Sequence, residues 1–226
     1  MQASEQNIGS ASRKRTVLLV DDHPVVREGL TRRINSEDDL SVCAEARTPT
    51  EALRAMRQFQ PDVVVVDLAL TEGHGLELIK DIRSQQNRVP ILVFTMFEEA
   101  TYAMRALKAG AQGYLTKHES SEHLVNGLRA VLRGEYVLNP DVSTRFLQAR
   151  LHPGEDSPAA QQKLADRELE VFELIGKGIG TREIASKLGR SVKTIETYRA
   201  RIKEKLGLRS STALMREAVR WVETRR

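Results

Sequence analysis

The sequence predicts two domains: an α/β domain on a doubly wound, five-stranded parallel sheet, then an all-α domain of four helices. Three observations carry this expectation. Short apolar runs alternate with amphipathic stretches of helical length as far as Tyr136. From Leu164 onward every segment has the helical period alone. Between them lies "HPGEDSPAAQQ" (152–162), with the Pro, Gly, Ser and Gln content of a linker. At 226 residues, 40% of them apolar, the chain is long enough for two ordinary cores. The expected bounds are 15–136 for the first domain, 137–163 for the linker and 164–226 for the second.

"TVLLV" (16–20), "LSVCAEA" (40–46), "DVVVVDL" (62–68), "PILVFT" (90–95) and "GYLT" (113–116) are short runs apolar on both faces, as strands covered by helices on either side must be. Between them Val26, Leu30 and Ile34, then Ala52, Leu53, Met56 and Phe59, then Leu76, Ile79 and Ile82, then Tyr102, Met104 and Leu107 recur at helical spacing. A fifth helix over 121–133 carries Leu124, Leu128, Val131 and Leu132. "NPDVSTRFLQARL", before the linker, has room for a helical turn. "ELEVFELIGKG", "TREIASKLG", "SVKTIETYRARIKEKLG" and "STALMREAVRWVE" make the four C-terminal helices, the first three closed by a glycine able to take left-handed dihedrals. The single cysteine, Cys43, excludes an intramolecular disulfide and is expected to be a small buried strand residue.

No apolar run approaches the roughly 20 residues that span a bilayer, and the polar N-terminus lacks an apolar signal segment, so a soluble, cytoplasmic protein is expected. The net charge of +4 is unevenly spread. Residues 15–136 hold 15 Lys+Arg against 18 Asp+Glu, or −3, whereas residues 181–226 hold 13 against 5, or +8. Such a basic block on a short helical domain is either a solvated face or the footprint of phosphate backbones.

Ligands of open α/β sheets bind outside the carboxyl ends of the strands. Asp21 and Asp22 follow the first strand, Asp67 and Thr95 stand at the ends of the third and fourth, and Lys117 follows the fifth. Singly, each has a local role: Asp22 as a helix cap before Pro24, Thr95 as a strand end or cap. Together they form one pocket. Clustered carboxylates raise one another's pKa unless a cation intervenes, and Mg²⁺ takes oxygen ligands, as Lys117 adds further positive charge. A carboxylate beside Mg²⁺, a hydroxyl and a lysine is equipped to attack a phosphoryl group and hold the acyl phosphate.

In "TREIASKLGRSVKTIETYRARI", Ala185, Gly189 and Ile195 stand at helix-turn-helix spacing: small where helices cross, permissive in the turn, apolar beneath the second helix. Ser191 is a sound N-cap for that helix. Its polar face carries Lys193, Thr197, Ala200, Arg201 and Glu204, with Glu196 at the edge, chemistry suited to base edges in a major groove. Arg182, Arg199, Lys203 and Lys205 suit phosphates.

"LLVDDHPVVREGL", "PDVVVVDLAL", "VFTMFEE" and "GAQGYLTK" resemble the receiver domain of two-component response regulators, over about residues 15–136. Residues 164–222 resemble the LuxR-type DNA-binding domain of the NarL/FixJ family, through "RELEVFELIGKG" and "EIASKLGRSVKTIETYRARIKEKLGL". The resemblance implies a flavodoxin-like receiver in which Asp67 accepts the phosphoryl group from a histidine kinase. Asp21, Asp22, Asp67 and the backbone carbonyl of Ala69 would hold Mg²⁺. Thr95 and Lys117 would contact the phosphoryl group, and Tyr114 would change rotamer with Thr95. It further implies that the segment from about Thr194 to Leu206 enters promoter DNA, and that Leu214, Ala218 and Trp221 on the last helix pair subunits in a homodimer. Thr71 and His74 stand where the family commonly has Pro and Asp, and Ala165 and Gly180 where it has capping Thr and Ser.

Two rival readings fit the same fold. A Mg²⁺-dependent phosphatase would need a second acid two residues after Asp67, where Ala69 stands, so the chain is expected not to be an enzyme. A regulator of the same fold controlled by a partner protein alone would ignore phosphodonors.

Overall fold

A computed structural model describes residues 13–85, 88–97, 100–140, 142–144 and 163–223. Strands β1 (Arg15–Val20), β2 (Leu40–Ala46), β3 (Val63–Val66), β4 (Ile91–Thr95) and β5 (Gly113–Thr116) alternate with helices α1 (Pro24–Asn35), α2 (Pro49–Phe59), α3 (Gly75–Ser84), α4 (Ala100–Ala109) and α5 (Ser121–Leu132). All pairings are parallel and the strand order is β2-β1-β3-β4-β5. The chain therefore changes winding direction between β1 and β3, which opens the ligand crevice there.

The strands' period of two sorts their side chains between the layers. Leu18, Val20, Val64, Val66, Ile91 and Val93 pack with residues of α2, α3 and α4, while Val17, Leu19, Val63, Val65, Leu92 and Phe94 pack with those of α1 and α5. Both faces are buried, as the unbroken apolar runs require. Proline at the first position of α1 and α2, and side-chain caps from Thr48 and Ser120, start the helices where the sequence predicts. Cys43 is half-buried rather than buried. The β1–β2 register shifts beside it, and its thiol reaches the Val17 carbonyl at 3.4 Å. Burial pushes that thiol's pKa up, which fits an unreactive group.

The second domain comprises α6 (Asp166–Gly176), α7 (Thr181–Lys187), α8 (Val192–Leu206) and α9 (Ser211–Glu223). Gly178, Gly189 and Gly207 take φ of +79°, +58° and +67° after α6, α7 and α8, as the closing glycines were expected to. The first domain reaches past Tyr136: Val137 bridges to Gly113, residues 140 and 142–144 are helical, and Val142 is buried. The linker stretch 152–162 lies outside the described residues. No described helix is long and apolar enough to cross a membrane.

One close approach positions the crevice. A Cβ at Gly75 would meet the Asp67 carbonyl oxygen at 2.2 Å and Leu68 Cα at 2.7 Å, so α3 begins directly against the backbone of Asp67. Both obstacles are main chain and cannot swing aside. Gly75→Ala should therefore destabilise the first domain by about 2 kcal/mol, as overpacking does. Thermal unfolding followed by circular dichroism reads this, and an unchanged midpoint would contradict the close approach.

Candidate functional site

The carboxyl ends of β1, β3 and β5 bring Asp21, Asp22, Asp67 and Lys117 together, as the strand order requires. Asp67 and Asp21 are 1% and 3% exposed, burial that an ionised carboxylate tolerates only with strong partners. Lys117 supplies them: its Nζ lies 2.6 Å from Asp67 Oδ2 and 2.6 Å from Asp21 Oδ2. Burial alone would pull the lysine's pKa down, but the two carboxylates outweigh it and hold the ammonium above its ordinary value. The backbone fixes both ends of this bridge. Asp67 N–H donates to the Val20 carbonyl at 2.8 Å, and Lys117 N–H to the Thr95 carbonyl at 2.8 Å. Asp67 Oδ1 accepts from Ala69 N–H at 3.0 Å.

Asp22 does not cap α1. The N-cap is His23, with no side-chain cap, and the Asp22 carboxylate turns across the crevice to Thr71, accepting from its N–H at 2.8 Å and from its hydroxyl. Its other oxygen, Oδ1, is buried and accepts no hydrogen bond from the described residues, though His23 Nδ1 lies 2.9 Å away. Ligand atoms of Asp21, Asp22, His23 and Asp67 all fall within 4.8 Å of one another. This oxygen-rich set, with one unsatisfied buried oxygen, fits a hard divalent cation. His23, Thr71 and the Arg27 guanidinium, which donates to the Asp21 carbonyl at 2.7 Å, were not foreseen here. "DDHP" was the available signal for His23.

Thr95 is fully buried at the end of β4, and among the described residues its hydroxyl makes only a long 3.5 Å contact with the Phe97 N–H. Tyr114 is turned inward and donates to the Phe97 carbonyl at 2.7 Å.

In the helical domain Ala185 and Ile195 are buried and Ser191 caps α8, accepting from Thr194 N–H at 3.1 Å. Lys193, Glu196, Thr197, Ala200 and Arg201 form an exposed row, with Thr194 half-buried at its start. Arg182 is exposed, and Arg199 and Lys203 are half-buried. Lys205 is exposed but pairs with the buried Glu168 at 2.6 Å. Glu168 also accepts from Ala165 N–H at 2.8 Å, so the cap of α6 keeps the half that alanine does not have to supply. Gly180, at the N-cap of α7, has no side chain to give. The assignment of Leu214, Ala218 and Trp221 to a subunit interface needs correction. All three are buried in their own domain, where α9 packs on α6 and Trp221 meets Phe172 edge-on at 5.7 Å.

The domains meet through α6, whose Asp166, Arg167, Glu168, Glu170 and Glu173 are all buried. Asp166 accepts from Lys80 on α3 at 2.8 Å and Arg105 on α4 at 2.6 Å, and Arg105 also donates to the Leu164 carbonyl at 2.8 Å. Burial would raise the Asp166 pKa, but these cations outweigh it and lower it. Arg167 donates to the Leu70 carbonyl at 2.7 Å and to Glu170 at 2.6 Å. The apolar cluster beneath α2, α3 and α4 continues into the second domain. None of this interface was foreseen, because "DRELE" has the composition of an exposed first turn.

Residues 17–129 match the response regulator receiver domain, and residues 162–218 match the bacterial regulatory proteins of the luxR family. Oxygen regulatory protein NreC of Staphylococcus carnosus is 35% identical over 209 residues, covering 90% of this chain and 96% of the relative. A LuxR-family two-component response regulator from Aurantimonas is 38% identical over 62% of this chain and 99% of its own, with a TM-score of 0.57. RcsB of Salmonella enterica serovar Typhimurium, solved on promoter DNA in the presence of phosphomimetic BeF₃⁻, is 27% identical over 91% of this chain and 98% of its own, with a TM-score of 0.59. The acidic crevice, the helix-turn-helix and these likenesses span nearly the whole chain, which belongs to the DNA-binding two-component response regulators with a receiver domain and a LuxR-type domain.

Proposed function

We propose that phosphorylation of Asp67 switches this regulator between states with different affinity for promoter DNA. The observation that carries the proposal is the placement of Asp67: buried at the end of β3, at the sheet's switch point, within 2.6 Å of Lys117 and beside two further carboxylates. A buried acid–lysine pair is weak evidence of a stabilising role, because well-packed apolar residues in place of the whole pair often serve as well. A partner histidine kinase carries the phosphoryl group on an imidazole nitrogen. Asp67 Oδ attacks phosphorus, the P–N bond breaks, and the kinase histidine leaves.

Asp21, Asp22, Asp67 and the backbone carbonyl of Ala69 would hold Mg²⁺, which when bound offsets the charge on carboxylates and phosphoryl oxygens alike. Lys117 already lies in reach of Asp67, and Thr95 supplies a hydroxyl at the neighbouring strand end. Movement of Thr95 toward a phosphoryl group would alter the packing around Phe97 and Tyr114, and so the α4–β5 surface. That surface includes Arg105, a partner of α6.

On DNA, the exposed row Lys193, Glu196, Thr197, Ala200 and Arg201, with Thr194, would face base edges. Arg182, Arg199 and Lys203 would meet phosphates, and Lys205 would join them by leaving Glu168. A homodimer would use the outward side of α9, where Met215 is exposed, because the inward side is already occupied. Promoter binding would put the protein in the cytoplasm.

Binding to promoter fragments should tighten about tenfold with an acyl-phosphate donor and Mg²⁺, and Asp67→Asn should abolish the response. Equal responses of both proteins in a gel-shift titration would remove Asp67 from the switch.

The docked interface also titrates. His74 is fully buried, its Nδ1 accepts from Leu76 N–H at 3.1 Å, and its Nε2 lies 4.0 Å from Glu170. Burial, then the charge of Arg167, lower its pKa to about 3, with Lys80 and Arg105 acting the same way and Asp166 opposing. Undocking exposes His74 to water and returns it toward 6.5, so the undocked form takes up a proton that the docked form refuses. Docking therefore weakens as pH falls below about 6.5. Burial raises the Glu170 pKa, which has the opposite sign: the docked form takes that proton first, and docking strengthens on acidification. Small-angle scattering at pH 7.5 and 5.5 should show wild type extending, by up to about tenfold in the docking equilibrium. His74→Gln should lose that extension or reverse it, and a pH-independent wild type would refute the coupling.

A further inference from the structure

Thr71 touches both functional halves of the molecule. Its N–H and hydroxyl hold the Asp22 carboxylate, the N–H at 2.8 Å. Its methyl group faces the turn of the helix-turn-helix so closely that a Cβ at Gly189 would lie 2.3 Å from Thr71 Cγ2. The preceding residue is an anchor too, since the Leu70 carbonyl accepts from Arg167 at 2.7 Å. Two consecutive loop residues thus carry α6 and the turn before α8, and one of them holds a carboxylate of the acidic cluster.

We propose that Thr71 couples metal binding in the acidic pocket to release of the DNA-binding domain. This rests on the reading that Asp21, Asp22 and Asp67 hold Mg²⁺. Asp21 and Asp67 are bridged by Lys117, whereas Asp22 is the carboxylate held by Thr71 across the crevice. Asp22 Oδ2 accepts two hydrogen bonds from Thr71, which fix the carboxylate's orientation, while Oδ1 accepts none from the described residues and is the oxygen left for a cation. A cation taken on Oδ1 reorients the carboxylate and draws charge from it, which weakens its hold on Thr71. The loop then moves against Arg167 and Gly189. Linkage makes the effect mutual: docking lowers metal affinity by the factor by which the metal weakens docking. A proline at this position, with neither donor, lacks the connection.

The test is Mg²⁺ calorimetry and small-angle scattering on the full chain, using wild type, Thr71→Val and Thr71→Ser. Valine keeps the methyl shape and loses the hydroxyl, so Mg²⁺ should bind about fivefold tighter, at the low end of couplings between sites. Serine keeps the hydroxyl and loses the methyl, so its Mg²⁺ affinity should lie between that of wild type and that of the valine variant. Saturating Mg²⁺ should extend wild type measurably and both variants less. Equal affinities for wild type and valine, or a wild-type scattering curve unmoved by Mg²⁺, overturn the coupling. The pocket reading fails separately, through absence of Mg²⁺ binding in wild type or undiminished binding by Asp67→Asn.

Discussion

A carboxylate buried at the end of four valines is tolerable only with a cation in hydrogen-bond reach, and the first domain is arranged around supplying one to Asp67. Lys117 lies 50 residues away in sequence and meets Asp67 at 2.6 Å because β5 runs parallel to β4, and β4 to β3. The Lys117 N–H is in turn fixed to the Thr95 carbonyl, so the lysine's position follows from the register of the sheet edge. On the other side, β1 must lie next to β3 to deliver Asp21 to the same ammonium. A sheet in any other order would strand at least one buried charge, at a cost of several kcal/mol.

The second domain is held by the same rule applied to a helix. Two buried charges of α6, Asp166 and Arg167, find partners on α3, on α4 and on the loop after β3. Breaking such an interface exposes the charges to water, which solvates them well. Its net strength is thus much smaller than its many short contacts suggest. Charged contacts of this kind define a single docked geometry yet separate readily, a combination useful in a switch and poor in a permanent core. The continuous apolar cluster beneath adds affinity without direction.

How far the sequence could be read follows from where its constraints are local. The strands were legible because burial on both faces forces runs such as "DVVVVDL", and the helix-turn-helix because Ala185, Gly189 and Ile195 each answer a steric demand within one supersecondary unit. The acidic pocket was legible through topology, since strand ends of a doubly wound sheet converge wherever their loops go. The docking surface was not, because Asp166, Arg167 and Glu170 are ordinary first-turn residues until another domain covers them. Leu214, Ala218 and Trp221 failed for a related reason: an apolar helical stripe says that something covers it, not which helix does. Thr71 and His74 were visible as departures from the family pattern, yet their partners, Asp22, Gly189 and Glu170, are 49 or more residues away.

The docked arrangement leaves the row from Lys193 to Arg201 open to solvent, so the receiver does not hide the side chains suited to reading bases. A switch acting on this interface works on something else that docking holds fixed. In a dimer on paired half-sites, the two α8 helices would have to lie about one helical turn apart, near 34 Å. With α6 bound to α3, α4 and the loop after β3, the path of α8 is set by the receiver, and so is the direction in which the outward side of α9 would meet a second copy under the proposed pairing. Releasing α6 frees that direction without altering the DNA-reading surface. Affinity for a paired site would then change far more than affinity for DNA in general, because phosphate contacts by a single domain do not depend on where the second domain lies.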